Sequence, residues 1–273
     1  MDIMGYSMAG EETVVAVPQL NVCFDIGKAP DQTISIPNIL LTHGHMDHSA
    51  GIAYYLSHRH FDGQSPGTVL APANLLPYIK QILTAWGKLD GNHIPAALIG
   101  VEPGDEFQIK PNLFASVFAT DHCKGSVGYS IIERRKKLKP EYKSLTGAQL
   151  VELKKQGIDI ENQVDIPLVT YLGDTRCAKF VDLEYVAQSK ILITECTFYE
   201  QDHIERAQAG KHIHVNDLAR LIEQLNNEYI VITHTTQRTS MRQIKRTLEK
   251  KLSTDTLKKV YLLMDKRQKP NNQ

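Results

Sequence analysis

Apolar residues along this chain recur with two different periods. Short runs rich in Val, Ile, Leu and Phe at 13–17, 21–25, 38–42, 68–71, 97–101, 113–119, 125–132, 168–172, 191–194, 230–233 and 260–264 have the length and composition of strands. Helical spacing takes over at 49–60, 74–88, 147–156, 215–226 and 240–252. Strands crowd the first half with helices inserted, and alternate with helices in the second. This order predicts an α/β (α+β) chain of two sheets carrying helices on their outer faces. No Gly/Ser linker, internal repeat or low-complexity tract divides it, so 1–273 reads as a single domain. The stretch 133–167 is polar, Lys-rich and the least regular, and is expected to be an insertion projecting from the body.

Composition narrows the class. With 42% hydrophobic and 23% charged residues in 273, the chain can bury a sizeable core. No apolar run approaches a membrane span, and Met1-Asp2-Ile3-Met4-Gly5 lacks the basic and apolar blocks of a signal peptide. Cys23, Cys123, Cys177 and Cys196 are scattered, so free thiols in a reducing cytoplasm are expected. The 31 basic and 31 acidic residues cancel, which removes the argument for nucleic-acid binding from global charge. Charge is nevertheless uneven: 134–155 holds eight Lys or Arg against two Glu, and 242–269 holds ten against three acidic residues. A phosphate-facing patch and a solvated face are equally open for the first; the second reads as a solvated helix face.

The candidate chemistry begins at His43-Gly44-His45-Met46-Asp47-His48, on the connection between a predicted strand and a predicted helix. A lone His is usually a surface or core residue. Three His and an Asp within six residues, in a chain with 11 His, are a ligand set of the kind zinc favours. His43 and His45 can share one direction while Asp47 and His48 face a second point, which suits two neighbouring metals. Further donors stand where predicted strands end, in Thr120-Asp121-His122, Gly173-Asp174-Thr175 and Thr233-His234-Thr235. Singly each is an ordinary turn or strand-end residue. Together they complete two four-coordinate sites if Asp174 bridges them.

The H-x-H-x-D-H run, the lone His, the Gly-Asp-Thr and the final strand-end His resemble the metallo-β-lactamase fold. Phe24-Asp25-Ile26-Gly27, Thr194-Glu195-Cys196-Thr197-Phe198, His212 some seventeen residues past Glu195, and Thr233-His234-Thr235-Thr236-Gln237-Arg238 are similar to the short forms of the ribonuclease Z (tRNA 3′-processing endonuclease) family. The resemblance covers nearly the whole chain. It implies an αββα sandwich of two mixed sheets flanked by helices. It also implies two zinc ions per subunit, with manganese or iron as alternatives, roughly 3.5–4 Å apart. One metal would take His43, His45, His122 and Asp174; the other Asp47, His48, Asp174 and His234. The implied reaction is hydrolysis of an RNA phosphodiester by metal-activated hydroxide, removing the 3′ trailer of precursor tRNA in a cytoplasmic homodimer.

By the same resemblance Asp47 is both ligand and base, and His212 is the proton donor, oriented by Glu195. The segment Gly210-Lys211-His212-Ile213-His214 departs from the family's Gly-His dipeptide, so a slip of register leaves His214 open for that role. Arg238 would contact a phosphate, while Thr239 replaces the usual aromatic residue. Asp25 fits a structural turn at least as well as a place beneath the metals. His58, His60, His93 and His203 carry no motif and read as surface residues. The family's Gly/Pro-rich arm has no counterpart in 125–172, where a shortened or helical arm would use Arg134, Arg135, Lys136 and Lys137, with Lys154 and Lys155, on phosphates. The alternatives are another hydrolase of the fold acting on a small phosphodiester, lactone or thioester, and, least favoured, a non-catalytic binding protein.

Overall fold

Residues 12–17, Glu-Thr-Val-Val-Ala-Val, send Val15 and Val17 to one side of a sheet and Val14 and Ala16 to the other, and all four are fully buried. A strand apolar on both faces needs a cover on each. The computed structural model, which describes residues 1–265, supplies both. Its first sheet holds β1 (Met4–Met8), β2 (Glu12–Val17), β3 (Val22–Phe24), β4 (Asn38–Leu40), β5 (Thr68–Pro72) and β6 (Ala97–Val101), in that order. β1 to β3 pair antiparallel and β3 to β6 parallel. The parallel crossovers carry α1 (Asp31–Ile34), α2 (Met46–Ser49), α3 (Ile52–Phe61) and α4 (Leu76–Asp90).

The second sheet repeats the plan. β7 (Glu106–Lys110), β8 (Leu113–Ala119), β9 (Val127–Leu138) and β10 (Glu161–Tyr171) pair antiparallel, with α5 (Gly147–Lys155) between the last two. β10, β11 (Ile191–Glu195), β12 (Tyr229–Thr233) and β13 (Val260–Leu262) then run parallel. Their crossovers carry α6 (Glu184–Ala187), α7 (Ile204–Gly210), α8 (Val215–Gln224), α9 (Met241–Lys251) and α10 (Thr254–Lys258). Phe24, Leu40, Leu70, Val117, Tyr129, Tyr171 and Ile193 pack between the sheets. Cys23, Ile39 and Val69 face α3 and α4, while Leu192, Ile230 and Ile232 face α8 and α9. The result is the expected αββα sandwich.

The predicted strands and long helices are present, with ends shifted by a few residues. Two short edge strands, β1 and β7, lie outside the expected set, although Glu-Phe-Gln-Ile-Lys in β7 does alternate. The larger revision concerns 133–167. It is not irregular: β9 and β10 extend into it as a hairpin with Arg134 opposite Asp165 and Leu138 opposite Glu161. Ionic cross-strand pairs, not apolar alternation, fix this register, which is why the hydrophobic pattern misses it. α5 closes the hairpin with a capping box of Thr146 and Gln149. The second basic run begins on the outer face of α9, which buries Ile244 and Leu248, and continues with Lys258 and Lys259 at the end of α10; residues 266–269 of that run lie outside the described residues.

Candidate metal centre

The parallel strands end on one edge of the sandwich, where loops after β4, β8, β10, β11 and β12 converge. Such carboxyl ends are where open α/β sheets place their ligands. His43 follows β4. His45 precedes α2, and Asp47 and His48 lie within that single turn, so these two ligands are helical and not on an open loop as expected. His122, Asp174 and His234 follow β8, β10 and β12. Gly173 adopts φ +63° directly before Asp174, and a Cβ there would lie 2.8 Å from the Thr42 side chain, so only glycine fits. His234 itself takes φ 52°, a strained conformation for a side-chain-bearing residue, held by its N–H donating to Ser7 Oγ at 2.7 Å.

The candidate ligands meet around Asp174 Oδ2. His234 Nε2 lies 3.2 Å from it, His48 Nε2 3.3 Å, and His43 and His122 Nε2 3.8 Å each. Asp47 Oδ2 lies 3.6 Å from His234 Nε2 and 3.8 Å from His48 Nε2. His43, His45, His122 and Asp174 form one group able to hold a metal, and Asp47, His48 and His234 another. Asp174, His212 and His234 form a third, so His212 borders the cluster directly.

Hydrogen bonds around the ligands explain why their inner nitrogens point at one spot. Asp25, fully buried, accepts from His48 Nδ1 at 2.7 Å, from Tyr171 Oη at 2.9 Å and from the Thr42 hydroxyl. Thr42 gives its one proton to Asp25, so its oxygen accepts from His43 Nδ1 at 3.0 Å. Thr197 likewise donates to Glu195 Oε2 at 2.7 Å and accepts from His234 Nδ1 at 2.9 Å. In all three histidines Nδ1 faces an oxygen acceptor and Nε2 faces the cluster. Burial lowers the His48 pKa, but Asp174 and Asp25 raise it well above the usual value, so a cation bound there would replace its Nε2 proton. Those Nε2 atoms are buried and have no hydrogen-bond partner. Buried polar atoms are rarely left so, and a Lewis acid satisfies all of them at once. Burial opposes the charge on Asp174, but His234 and His48 hold it well below the usual carboxylate range. For Asp47, burial is likewise outweighed by His234, His48 and the Gly10 N–H, which donates at 2.8 Å. Neutral imidazoles and ionised carboxylates are the donor set a divalent cation requires.

Glu195 is fully buried yet satisfied. It accepts from Thr175 N (2.8 Å), Thr197 Oγ1 (2.7 Å), Ile213 N (3.1 Å) and His212 Nδ1 (2.8 Å). The bond to His212 turns Nε2 of that ring away from Glu195; the ring stacks on His234 at 5.2 Å and lies 4.8 Å from His122. Burial lowers the His212 pKa, but the Glu195 charge and hydrogen bond raise it to about 9. His214 is turned elsewhere: its Nδ1 caps α8 and its Nε2 faces the Glu200 carbonyl. The geometry therefore pairs His212, not His214, with Glu195.

Other expected residues are placed differently. Arg238 is exposed on the loop after His234. Arg134 is not a free phosphate contact: Asp165 and Glu106 bind its guanidinium, which also covers the Phe114 ring at 4.3 Å. Arg135 pairs with Glu133. Lys136 and Lys137 are exposed, but strand alternation sends them to opposite faces, so 134–137 is no single patch. His203 is buried, not a surface residue. Thr42, Thr197, Ser7 and Gly10 were absent from the expected set. The first two stand beside His43 and Glu195 in sequence, a signal open to reading. Ser7 and Gly10 reach the site only because β1 and β2 fold across it, and nothing local marks them.

Comparison with known proteins agrees with this geometry. Residues 19–235 match the family described as "Beta-lactamase superfamily domain". The chain is 31% identical over 245 residues to tRNase Z TRZ1 of Arabidopsis thaliana, covering 89% of this chain and 88% of that one. It is 30% identical over 265 residues to ribonuclease Z of Listeria welshimeri, covering 83% of each. Human tRNase Z, short form (ELAC1), shares the fold with a TM-score of 0.63 at 17% identity, covering 96% of both chains. Among the described residues no helix is long and apolar enough to cross a membrane. The chain belongs to the beta-lactamase superfamily and, within it, to the ribonuclease Z (tRNase Z) family.

Proposed function

We propose that this protein is an endoribonuclease that hydrolyses one phosphodiester of precursor tRNA to release the 3′ trailer. The observation that carries the reading is the Glu195–His212 pair beside the ligand cluster, since a hydrolase that needs only its metals has no use for an oriented, protonated imidazole there. His43, His45, His122 and Asp174 would hold one divalent ion, and Asp47, His48, Asp174 and His234 a second; zinc suits this nitrogen and oxygen set. Such ions, when bound, supply positive charge for the phosphoryl oxygens and bring the pKa of water towards about 7.

The chain's own residues then handle the protons. Asp47, ionised and fixed through Oδ2 by the Gly10 N–H, takes the proton of the attacking water. The water oxygen bonds to phosphorus as the bond to the 3′ oxygen breaks. His212, with Nδ1 bound to Glu195, gives its Nε2 proton to that leaving oxygen, so the tRNA ends in a 3′-hydroxyl and the trailer in a 5′-phosphate. Arg238, exposed on the rim, takes a neighbouring phosphate. Of Lys136 and Lys137, exposed on opposite faces near the end of the hairpin, the one facing the bound RNA takes a further phosphate. A homodimer in the cytoplasm, with its cysteines free, completes the reading. A small phosphodiester is the second reading, favoured by zero net charge and by the pairing of Arg134 and Arg135.

The test uses variants assayed on 3′-extended precursor tRNA. His212→Ala should keep its metal and lose cleavage by about a hundredfold or more, whereas His234→Ala should lose metal and activity together. Hydrolysis of bis(p-nitrophenyl) phosphate by the parent without any cut in the tRNA contradicts the proposal and leaves the second reading.

A further inference from the structure

Lys211 sits where a helix commonly hands over to glycine. It ends α7 in the left-handed region, at φ 55°, with its N–H on the carbonyls of Ala207 and Gln208. A side chain there is strained and persists only when its surroundings hold it. What holds it is Asp121: Lys211 Nζ donates to Asp121 Oδ1 at 2.9 Å, while Arg176 Nε donates to Oδ2 at 2.6 Å. Each member stands beside a residue of the site: Asp121 next to His122, Arg176 two positions beyond Asp174, Lys211 next to His212.

The contacts close into a ring. Asp121 N donates to Thr175 Oγ1 at 2.9 Å, and Thr175 N donates to Glu195 Oε1, the same oxygen that accepts from His212 Nδ1. From Glu195 the circuit runs through His212 to Lys211, across to Asp121, and back through Thr175. Glu195 fixes the imidazole from inside; the 211–214 connection that bears it has its outer anchor at Asp121. Backbone bonds at His212 and Ile213 hold the inner part of the loop, so without that anchor the Glu195 bond remains and what loosens is the Lys211 end, from which the ring is carried.

We infer that Asp121 and Lys211 are positioning residues for the leaving-group proton, forming a clasp that holds His212 in line with the departing oxygen. This rests on the proton-donor reading of His212. Displacement of a reacting group by a fraction of an ångström costs rate while leaving the fold intact, so the clasp should matter where the leaving group needs a proton and not where it departs as a stable anion.

Lys211→Gly relieves the left-handed strain while deleting the ammonium, and Asp121→Asn keeps the side chain's shape while removing its charge. As metal-loaded proteins, both are expected to keep the parent's metal content. Both should hydrolyse bis(p-nitrophenyl) phosphate, whose phenolate leaves unprotonated, within about twofold of the parent. Turnover of 3′-extended precursor tRNA should fall by about tenfold or more, and the double variant should lose no more than the worse single one. Equal losses on both substrates, loss of metal, or no loss on either substrate overturns the clasp. His212→Ala run in parallel separates the two layers. If it shows the selective loss and the clasp variants do not, the clasp alone falls; if it shows none, the proton-donor reading falls and takes the clasp with it.

Discussion

Asp25 shows how a residue's role depends on contacts that its neighbours in sequence do not reveal. Before a glycine it reads as a turn. In the structure it takes φ 53° and places a buried carboxylate under His48, Thr42 and Tyr171. Removing it leaves His48 free to choose either tautomer, so Asp25→Asn should weaken metal binding by about 10–100-fold, measured by titration with a competing chelator; unchanged affinity would show that Asp25 only supports the turn. Glu195 acts on His212 in the same way, but through charge. Since Glu195 raises the His212 pKa and the donor must be protonated, cleavage falls as pH rises through that value. Glu195→Gln should therefore move the alkaline limb of the pH–rate profile to lower pH. A limb that stays in place, or moves up, contradicts the assignment of His212 as the acid. The gathering of His43, His45, Asp47 and His48 at one place was legible because donors at short spacing are a chemical signal. Their supports were not read, although Thr42 directly precedes His43 and Thr197 lies two residues past Glu195.

Among the elements, those built from apolar periodicity were the easiest to read. α9 is an example: Ile244 and Leu248 lie four apart on the buried face, the basic residues on the other, and Ser240 with Gln243 caps the start. Leu248→Ala should cost about 2–5 kcal/mol in a denaturant melt, with no change in the metal content of the folded fraction. The β9–β10 hairpin was illegible for the opposite reason. Within it Arg134 faces Asp165, and Glu106 of β7 ties the same guanidinium to the body of the sheet, pairs that carry no periodic apolar signal. That pairing also redistributes the expected phosphate contacts. Charge reversal at Lys136 and Lys137 should weaken precursor tRNA binding and flatten its dependence on salt, by roughly 0.7–0.9 in log–log slope for each phosphate that is no longer neutralised. Reversal of Arg134 should instead act first on stability. If Arg134 alone changes the salt slope, its ion pairs open on binding and the hairpin reading needs revision.

At the scale of the molecule, both sheets run from antiparallel to parallel pairing, and the antiparallel edge of the first, β1, meets the parallel side of the second where Met8 bridges Thr235 and Ser7 accepts from His234 N. The backbone of Val127 donates to the Thr42 carbonyl from one sheet to the other, so the candidate metal centre also lies where the two sheets are joined. Because the candidate ligands come from both sheets, a metal bound among them would be coupled to global stability. At free metal a hundred times its dissociation constant the added stability is about 2.7 kcal/mol per site, and a chelator should lower the Tm accordingly. The αββα order was legible because strands apolar on both faces demand two covers. The substrate class was legible only through the resemblance carried by Glu195, His212 and Arg238, because zero net charge and a hairpin without a Gly/Pro tip give no signature of tRNA by themselves.

The account as a whole stands most directly on where this protein cuts. Metal-loaded protein incubated with a precursor tRNA carrying a 3′ trailer should give one cleavage at the 3′ side of the acceptor stem, with a 3′-hydroxyl on the tRNA, a 5′-phosphate on the trailer, and activity lost on chelation. Cuts scattered along the RNA, a 2′,3′-cyclic phosphate end, or activity that survives complete removal of metal would contradict it.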